Sequence, residues 1–170
     1  MALNPFYGIS KAVAFLIFTD FTIHTNGKEK NALSSKSTQV KSPFMELETL
    51  RSYLLTKPGA FEDFPFGPET IVYKVMGKMF ALVFWGESSL RINLKCDPDL
   101  AMHFRGFYKA VTPGYHMNKR HWNTITLDGS IPDEDIHAMI NDSYRLVVKG
   151  LNKADRKNLA MEVLNFTYER

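Results

Sequence analysis

Ile71-Val72-Tyr73-Lys74-Val75-Met76-Gly77-Lys78-Met79-Phe80-Ala81-Leu82-Val83-Phe84-Trp85, turning through Gly86-Glu87-Ser88 into Leu90-Arg91-Ile92-Asn93-Leu94-Lys95, decides the fold. Ile71, Tyr73 and Val75 alternate with Val72, Lys74 and Met76, the period of a strand. Gly77 supplies the positive φ of a tight turn. Lys78 to Trp85 is apolar at both parities, as a central strand is. Leu90, Ile92 and Leu94 alternate with Arg91, Asn93 and Lys95, so the third strand should bury one face and leave the other polar and partly cationic. Short turns between three such strands predict an antiparallel meander.

Helical patterns flank the meander. Leu47, Leu50 and Leu54 share one face of a short helix over 45–56, which Lys57-Pro58-Gly59 stops. Phe61 to Gly67 is aromatic and broken by Pro65, so it reads as an edge strand or ordered loop. Asp97-Pro98 opens a second helix, with an N-cap carboxylate and proline at the first position. Leu100, Phe104, Phe107 and Tyr108 are expected on its buried side, and Arg105 and Lys109 one turn apart on another. Pro113-Gly114 turns the chain, and a further strand lies within His116 to Asp128, where Thr124 and Thr126 oppose Ile125 and Leu127 before the Asp128-Gly129 turn. From Pro132 a long helix buries Ile136, Met139, Ile140, Ser143, Tyr144 and Val147 and ends at Gly150; 153–166 is a weaker terminal helix. The order predicts an α+β, two-layer fold, an antiparallel sheet with helices on one face.

Composition fits a soluble globular protein, with 170 residues, 45% of them hydrophobic and 23% charged. Cys96 is the single cysteine, which rules out an internal disulfide and suits the cytoplasm. The net charge of +3 resides in residues 1–44, where five lysines face Asp20 and Glu29, while 45–170 is balanced. Global charge is therefore no argument for nucleic acid, and local distribution must carry any electrostatic case. The apolar run Ala12 to Phe18 is seven residues, against about 20 for a membrane span. Its flanks do not suit a signal peptide. Lys28 to Ser42 is polar and aperiodic, a linker pattern. Residues 1–44 are read as an N-terminal extension or upstream-start artefact, and 45–170 as the domain.

Six blocks carry a resemblance: Lys57-Pro58-Gly59; Pro65-Phe66-Gly67; Tyr73-Lys74-Val75 with Gly77-Lys78-Met79-Phe80; Asn93-Leu94-Lys95-Cys96-Asp97-Pro98; Pro113-Gly114-Tyr115-His116-Met117-Asn118-Lys119 with His121-Trp122; and Ser143-Tyr144. In this order and spacing, over about residues 45–150, the chain resembles the MmcQ/YjbR family of small bacterial proteins. The resemblance implies a two-layer α/β fold similar to the secretion-chaperone-like class and a "double wing" DNA-binding role. Residues 1–44 lie outside it.

The stretch from Pro113 to Trp122 gathers two imidazoles, two cations, an amide and two large aromatics. Lys119 and Arg120, with Lys95, Arg105 and Lys109, could contact phosphates; Tyr115, His121 or Trp122 could stack on a base or sugar; Asn118 could bond a base edge. Six Lys/Arg face two acids over 91–121, whereas 122–142 has five acids and no Lys/Arg. The competing reading is a solvated surface with Trp122 in the core. Lys74 and Lys78 flank the Gly77 turn, as a wing reaching a phosphate backbone or as edge protection. His103, His116, His121 and Cys96 match no common zinc spacing, so no metal or cofactor is expected. Lys95 could lower the Cys96 thiol pKa, but a buried inert thiol fits a strand end better. His116 and His121 have no companion nucleophile or paired carboxylate, so no enzyme is expected.

The first reading is thus a non-enzymatic cytoplasmic DNA-binding protein with a contact face of Lys95, Arg105, Lys109, His116, Asn118, Lys119, Arg120, His121 and Trp122. The second is a protein-interaction adaptor anchored by Phe64, Phe66, Tyr115 and Trp122. The third is a small-ligand pocket of Tyr115, His116 and Trp122.

Overall fold

Val75 and Lys78 pair across Met76-Gly77, and both turn residues have positive φ, 47° and 72°. This two-residue turn has the handedness that matches strand twist, so a non-glycine residue is tolerated at Met76. The computed structural model describes residues 45–86 and 89–168, with side chains to residue 164. The extension read at 1–44, and Glu87 and Ser88 of the second turn, lie outside the described residues. The elements run α1 Leu47–Leu55, β1 Ala60–Asp63, β2 Thr70–Val75, β3 Lys78–Phe84, β4 Arg91–Lys95, α2 Pro98–Phe107, β5 Val111–Pro113, β6 Trp122–Thr126, α3 Asp133–Lys149 and α4 Lys153–Tyr168. The strands form one antiparallel sheet in the order β1-β2-β3-β4-β6-β5. Both edges are short strands, and Pro113 sits in one of them, where a missing N–H costs least. Among the described residues no helix is long and apolar enough to cross a membrane.

The helices cover one sheet face. Leu50 and Leu54 from α1 and Ile136 and Ile140 from α3 join Tyr73, Val83 and Ile92 in the main core. A bulge adjusts the fit: Tyr73 pairs with Ala81 and Lys74 with Met79, which leaves Phe80 as an extra residue in β3. Phe80 and Ala81 therefore both enter the helix-side core. The Phe80 carbonyl accepts from the Ser143 hydroxyl of α3, and that oxygen accepts from the Lys95 N–H at 2.8 Å. One buried serine thus ties α3 to β3 and β4, and it occupies a core position of a helix without leaving a polar atom unsatisfied. At the β1 edge, Glu62 accepts from Arg51 of α1 (2.6 and 2.7 Å) and from the Tyr73 hydroxyl (3.0 Å).

The second helix departs from the expected phase. Asp97 caps it as expected, accepting from the Asp99 N–H. Yet Leu100 and Phe107 are 45% and 71% exposed, while Ala101 is fully buried. The small Ala101 side chain lets the α2 backbone approach the sheet, where the Asn123 amide donates to its carbonyl at 3.4 Å. Phe104 and Tyr108 pack against the main core as expected, and Leu100 and Phe107 are left outside. Tyr108 leaves the helix with φ −109°, so Lys109 sits in the following turn and not one helical turn from Arg105. The third strand also differs. Its supposed polar face is not open throughout, because Asn93 is completely buried.

Candidate nucleic-acid interface

One register line, Asp63–Val72–Leu82–Asn93–Thr124–Thr112, crosses the sheet on the face turned away from the helices. Val72, Leu82 and Trp122 form a second, smaller core there, and Met79, Phe84 and Met117 pack against it. The cover comes from the loop between β5 and β6. Three polar groups pin that loop down. The Asn93 amide donates to the Tyr115 carbonyl at 2.9 Å, the Tyr115 N–H donates to Thr124 Oγ1 at 2.8 Å, and the Thr124 hydroxyl donates to Asn93 Oδ1 at 2.6 Å. With Asn93 and Thr124 at 0% and 4% exposure, these bonds are shielded from water.

The base of the loop is closed by the Gly114 N–H, which donates to the Trp122 carbonyl at 2.8 Å. A Cβ on Gly114 would lie 2.7 Å from Trp122 Cβ, so this close approach requires glycine. Inside the loop, the Asn118 side-chain oxygen accepts from the Arg120 N–H at 3.0 Å, and its carbonyl accepts from the His121 N–H at 3.0 Å. His116 is left-handed with φ 52°.

The candidate residues separate into groups. His116, Asn118, Lys119 and Arg120 are exposed on this loop, His121 is half-buried at its end, and Lys95 pairs with Trp122 at its root. Antiparallel pairing also places the Val75–Lys78 hairpin tip and the Lys95–Trp122 pair at the same end of the sheet. Lys78 and the root of the β5–β6 loop thus lie at one end of the sheet. The Asn118 oxygen accepts internally from the Arg120 N–H, and its amide nitrogen is the donor it can offer a ligand.

Two expectations need correction. Trp122 is 8% exposed and belongs to the second core, so it cannot stack on a base or anchor a partner or small ligand. A residue beginning a strand under its own loop is covered by that loop. Arg105 is also engaged within the protein. Its Nε donates to Asn123 Oδ1 at 2.7 Å, and a terminal nitrogen donates to the carbonyls of Lys119 and of Trp122, the latter at 3.2 Å. It holds the β5–β6 loop from the α2 side. Lys109, exposed in the α2–β5 turn, is not tied to the loop by any bond seen among the described residues. Lys74, by contrast with Lys78, forms an ion pair with Asp63.

An aromatic–cation cluster escaped the sequence reading. The Tyr115 ring, 50% exposed, meets Phe84 edge-on at 6.2 Å and the His116 ring at 4.0 Å. The Arg91 guanidinium lies 5.6 Å from the Tyr115 ring and 5.8 Å from Phe84. Phe84 and Arg91 are cross-strand partners. Equal β3 and β4 parity could have signalled their contact, but Tyr115 arrives only through the loop fold.

Among the described residues no group of His, Cys, Asp and Glu gathers as a metal site. Burial pushes the Cys96 thiol up to about 11, with Asp142 and Asp97 adding to the shift, opposite to activation by Lys95. Two hollows are both bordered by Cys96 and Asp142; Phe104 and Met139 line one, Leu100 and Arg145 the other.

The sequence pattern of the YjbR family matches residues 55–146. The chain belongs to the YjbR family. The Escherichia coli O157:H7 protein YbdF is 40% identical over 116 residues, which cover 66% of this chain and 92% of that one. YjbR of Escherichia coli K12 is 36% identical over 115 residues, covering 68% and 98%. A crystal structure of a Deinococcus radiodurans protein with a DUF419 domain superposes with TM-score 0.65 at 40% identity, covering 71% of this chain and 92% of that one. A Pseudomonas syringae crystal structure gives TM-score 0.53 at 30% identity, covering 60% and 98%. The YjbR family match and these folds agree with the α+β architecture.

Proposed function

We propose that this YjbR-family chain is a non-enzymatic, cytoplasmic DNA-binding protein whose contact surface is the β5–β6 loop and the adjoining sheet end. The observation that carries the reading is the pinned loop itself. Buried Asn93 and Thr124 and the Arg105 guanidinium fix the backbone from which Lys119 and Arg120 project. A rigid cationic loop loses little freedom on binding. Lys95 and Lys78 extend the positive surface at the same sheet end, where the Lys78 hairpin and the loop form two projections, as two wings would. These residues position phosphates and do not by themselves specify sequence.

With about three phosphates engaged, affinity should fall about 50-fold between roughly 50 and 200 mM salt. Fluorescence anisotropy with labelled duplex and single-stranded DNA, each at those two concentrations, tests the reading. Lys119→Ala/Arg120→Ala should weaken binding and flatten the salt dependence. No binding at low salt removes it. The adaptor reading retains one observation, the exposure of Phe64 and Phe66 at 47% and 64% in the β1–β2 loop. A protein partner held there would respond to substitution of those two rings and not to Lys119 and Arg120.

A further inference from the structure

We infer that the Phe84–Arg91–Tyr115–His116 cluster is a stacking site for unpaired nucleotides, so that the DNA engaged by this face is single-stranded; the inference rests on the DNA-binding reading above. Tyr115 presents half of its surface to solvent, although Phe84, His116 and Arg91 all contact it. Its backbone is held twice, by its N–H donating to Thr124 and its carbonyl accepting from Asn93. His116 beside it occupies a left-handed backbone conformation, which histidine adopts more readily than most residues. An exposed ring on a pinned backbone, flanked by a second aromatic and a guanidinium, suits a base face.

The cations around the ring follow the same logic. Arg91 and Lys95 share the face of β4 that carries Asn93, four residues apart, hence about 13 Å at the usual strand rise. The Tyr115 loop crosses between them, bonded to Asn93. A nucleic-acid backbone running along β4 would meet a cation on either side of the ring that takes its base. In a duplex the base faces are stacked on one another and closed to Tyr115, whereas a single strand exposes them. Among the described residues, the helices pack on the opposite sheet face, so none is placed to enter a major groove from this side.

The test is anisotropy at low salt with the full chain and labelled oligomers of about 12 nucleotides, a footprint typical of a small single-strand-binding fold. The probes are a dT strand, an rU strand and a duplex of equal length. The expected result is binding of dT or rU at least about tenfold tighter than duplex. Tyr115→Ala should lower single-strand affinity by about tenfold or more, and Tyr115→Phe should keep it. Thermal melts of both variants check that the fold is retained. Phe84→Leu supplies a second variant should Tyr115→Ala fail to fold, and it should lower the same affinity. Equal or tighter binding of duplex overturns the inference and leaves the DNA reading standing. Single-strand binding indifferent to both ring substitutions also overturns it. Failure of all three probes to bind removes the inference together with the reading beneath it.

Discussion

Gly114 and Asn93 are the residues on which the loop depends, for opposite reasons. Gly114 lacks an atom that would strike Trp122; Asn93 has atoms that both donate and accept inside a closed pocket. Gly114→Ala should destabilise by about 1–3 kcal/mol, because the obstructing atoms include the Trp122 backbone oxygen at 2.9 Å and cannot simply rotate away. Gly106→Ala, where an added Cβ meets nothing within 4 Å in the last turn of α2, should stabilise by up to about 1 kcal/mol. Urea denaturation of the pair checks both signs. Asn93→Ala strands the Tyr115 carbonyl and the Thr124 hydroxyl and should cost about 1–3 kcal/mol. Cys96, buried and with its thiol at about 11, should stay unreactive toward a thiol reagent at neutral pH until the protein unfolds.

Glu62 gives a pH prediction at the same scale. The Arg51 hydrogen bond, aided by the Tyr73 hydroxyl and opposed by burial, holds its carboxyl below the usual value of 4.5. A depressed folded pKa contributes stability that is present above the unfolded value and is lost as pH falls through the folded one. The urea midpoint should therefore drop as pH is lowered below about 4.5, and Glu62→Gln should reduce that drop.

At the scale of elements, legibility tracked periodicity. The meander was plain because β2 and β3 are bounded by Gly77 and β4 alternates without interruption. The core face of α3 was plain as well, since Ile136, Met139, Ile140, Ser143 and Val147 repeat at helical spacing and all are buried. The face of α2 was legible in part: Phe104 and Tyr108 pack on the core as expected, but Leu100 and Phe107 are exposed and Ala101 is buried in their place. Backbone proximity, set by Asn123 and Arg105 from β6 and α2, decided that packing. The Phe80 bulge was also hidden, since it requires knowledge of the register between two strands. For the site, the loop cations could be read from the sequence, but the inward turn of Trp122 and the inward commitment of Arg105 could not. Arg105→Met should leave α2 in place but loosen the loop, and faster amide hydrogen exchange over 115–121 than over β2 would show it.

Across the whole molecule, cations occur on both layers. Lys149 and Lys153 are exposed around the α3–α4 junction, and Arg145 of α3 is paired with Asp142. Binding is assigned to the other layer, where Arg91 adjoins the half-exposed Tyr115 ring beside the loop that carries Lys119 and Arg120. Lys149→Ala/Lys153→Ala should leave DNA affinity within about twofold of the parent, as charges distant from a contact surface do at moderate salt, in anisotropy at about 150 mM salt. Amide chemical-shift mapping during titration with a short DNA oligomer tests the central claim most directly. The account predicts shifts concentrated at Lys78, Arg91, Lys95 and residues 115–121; shifts centred on α3 and α4, with the β5–β6 loop unmoved, would contradict it.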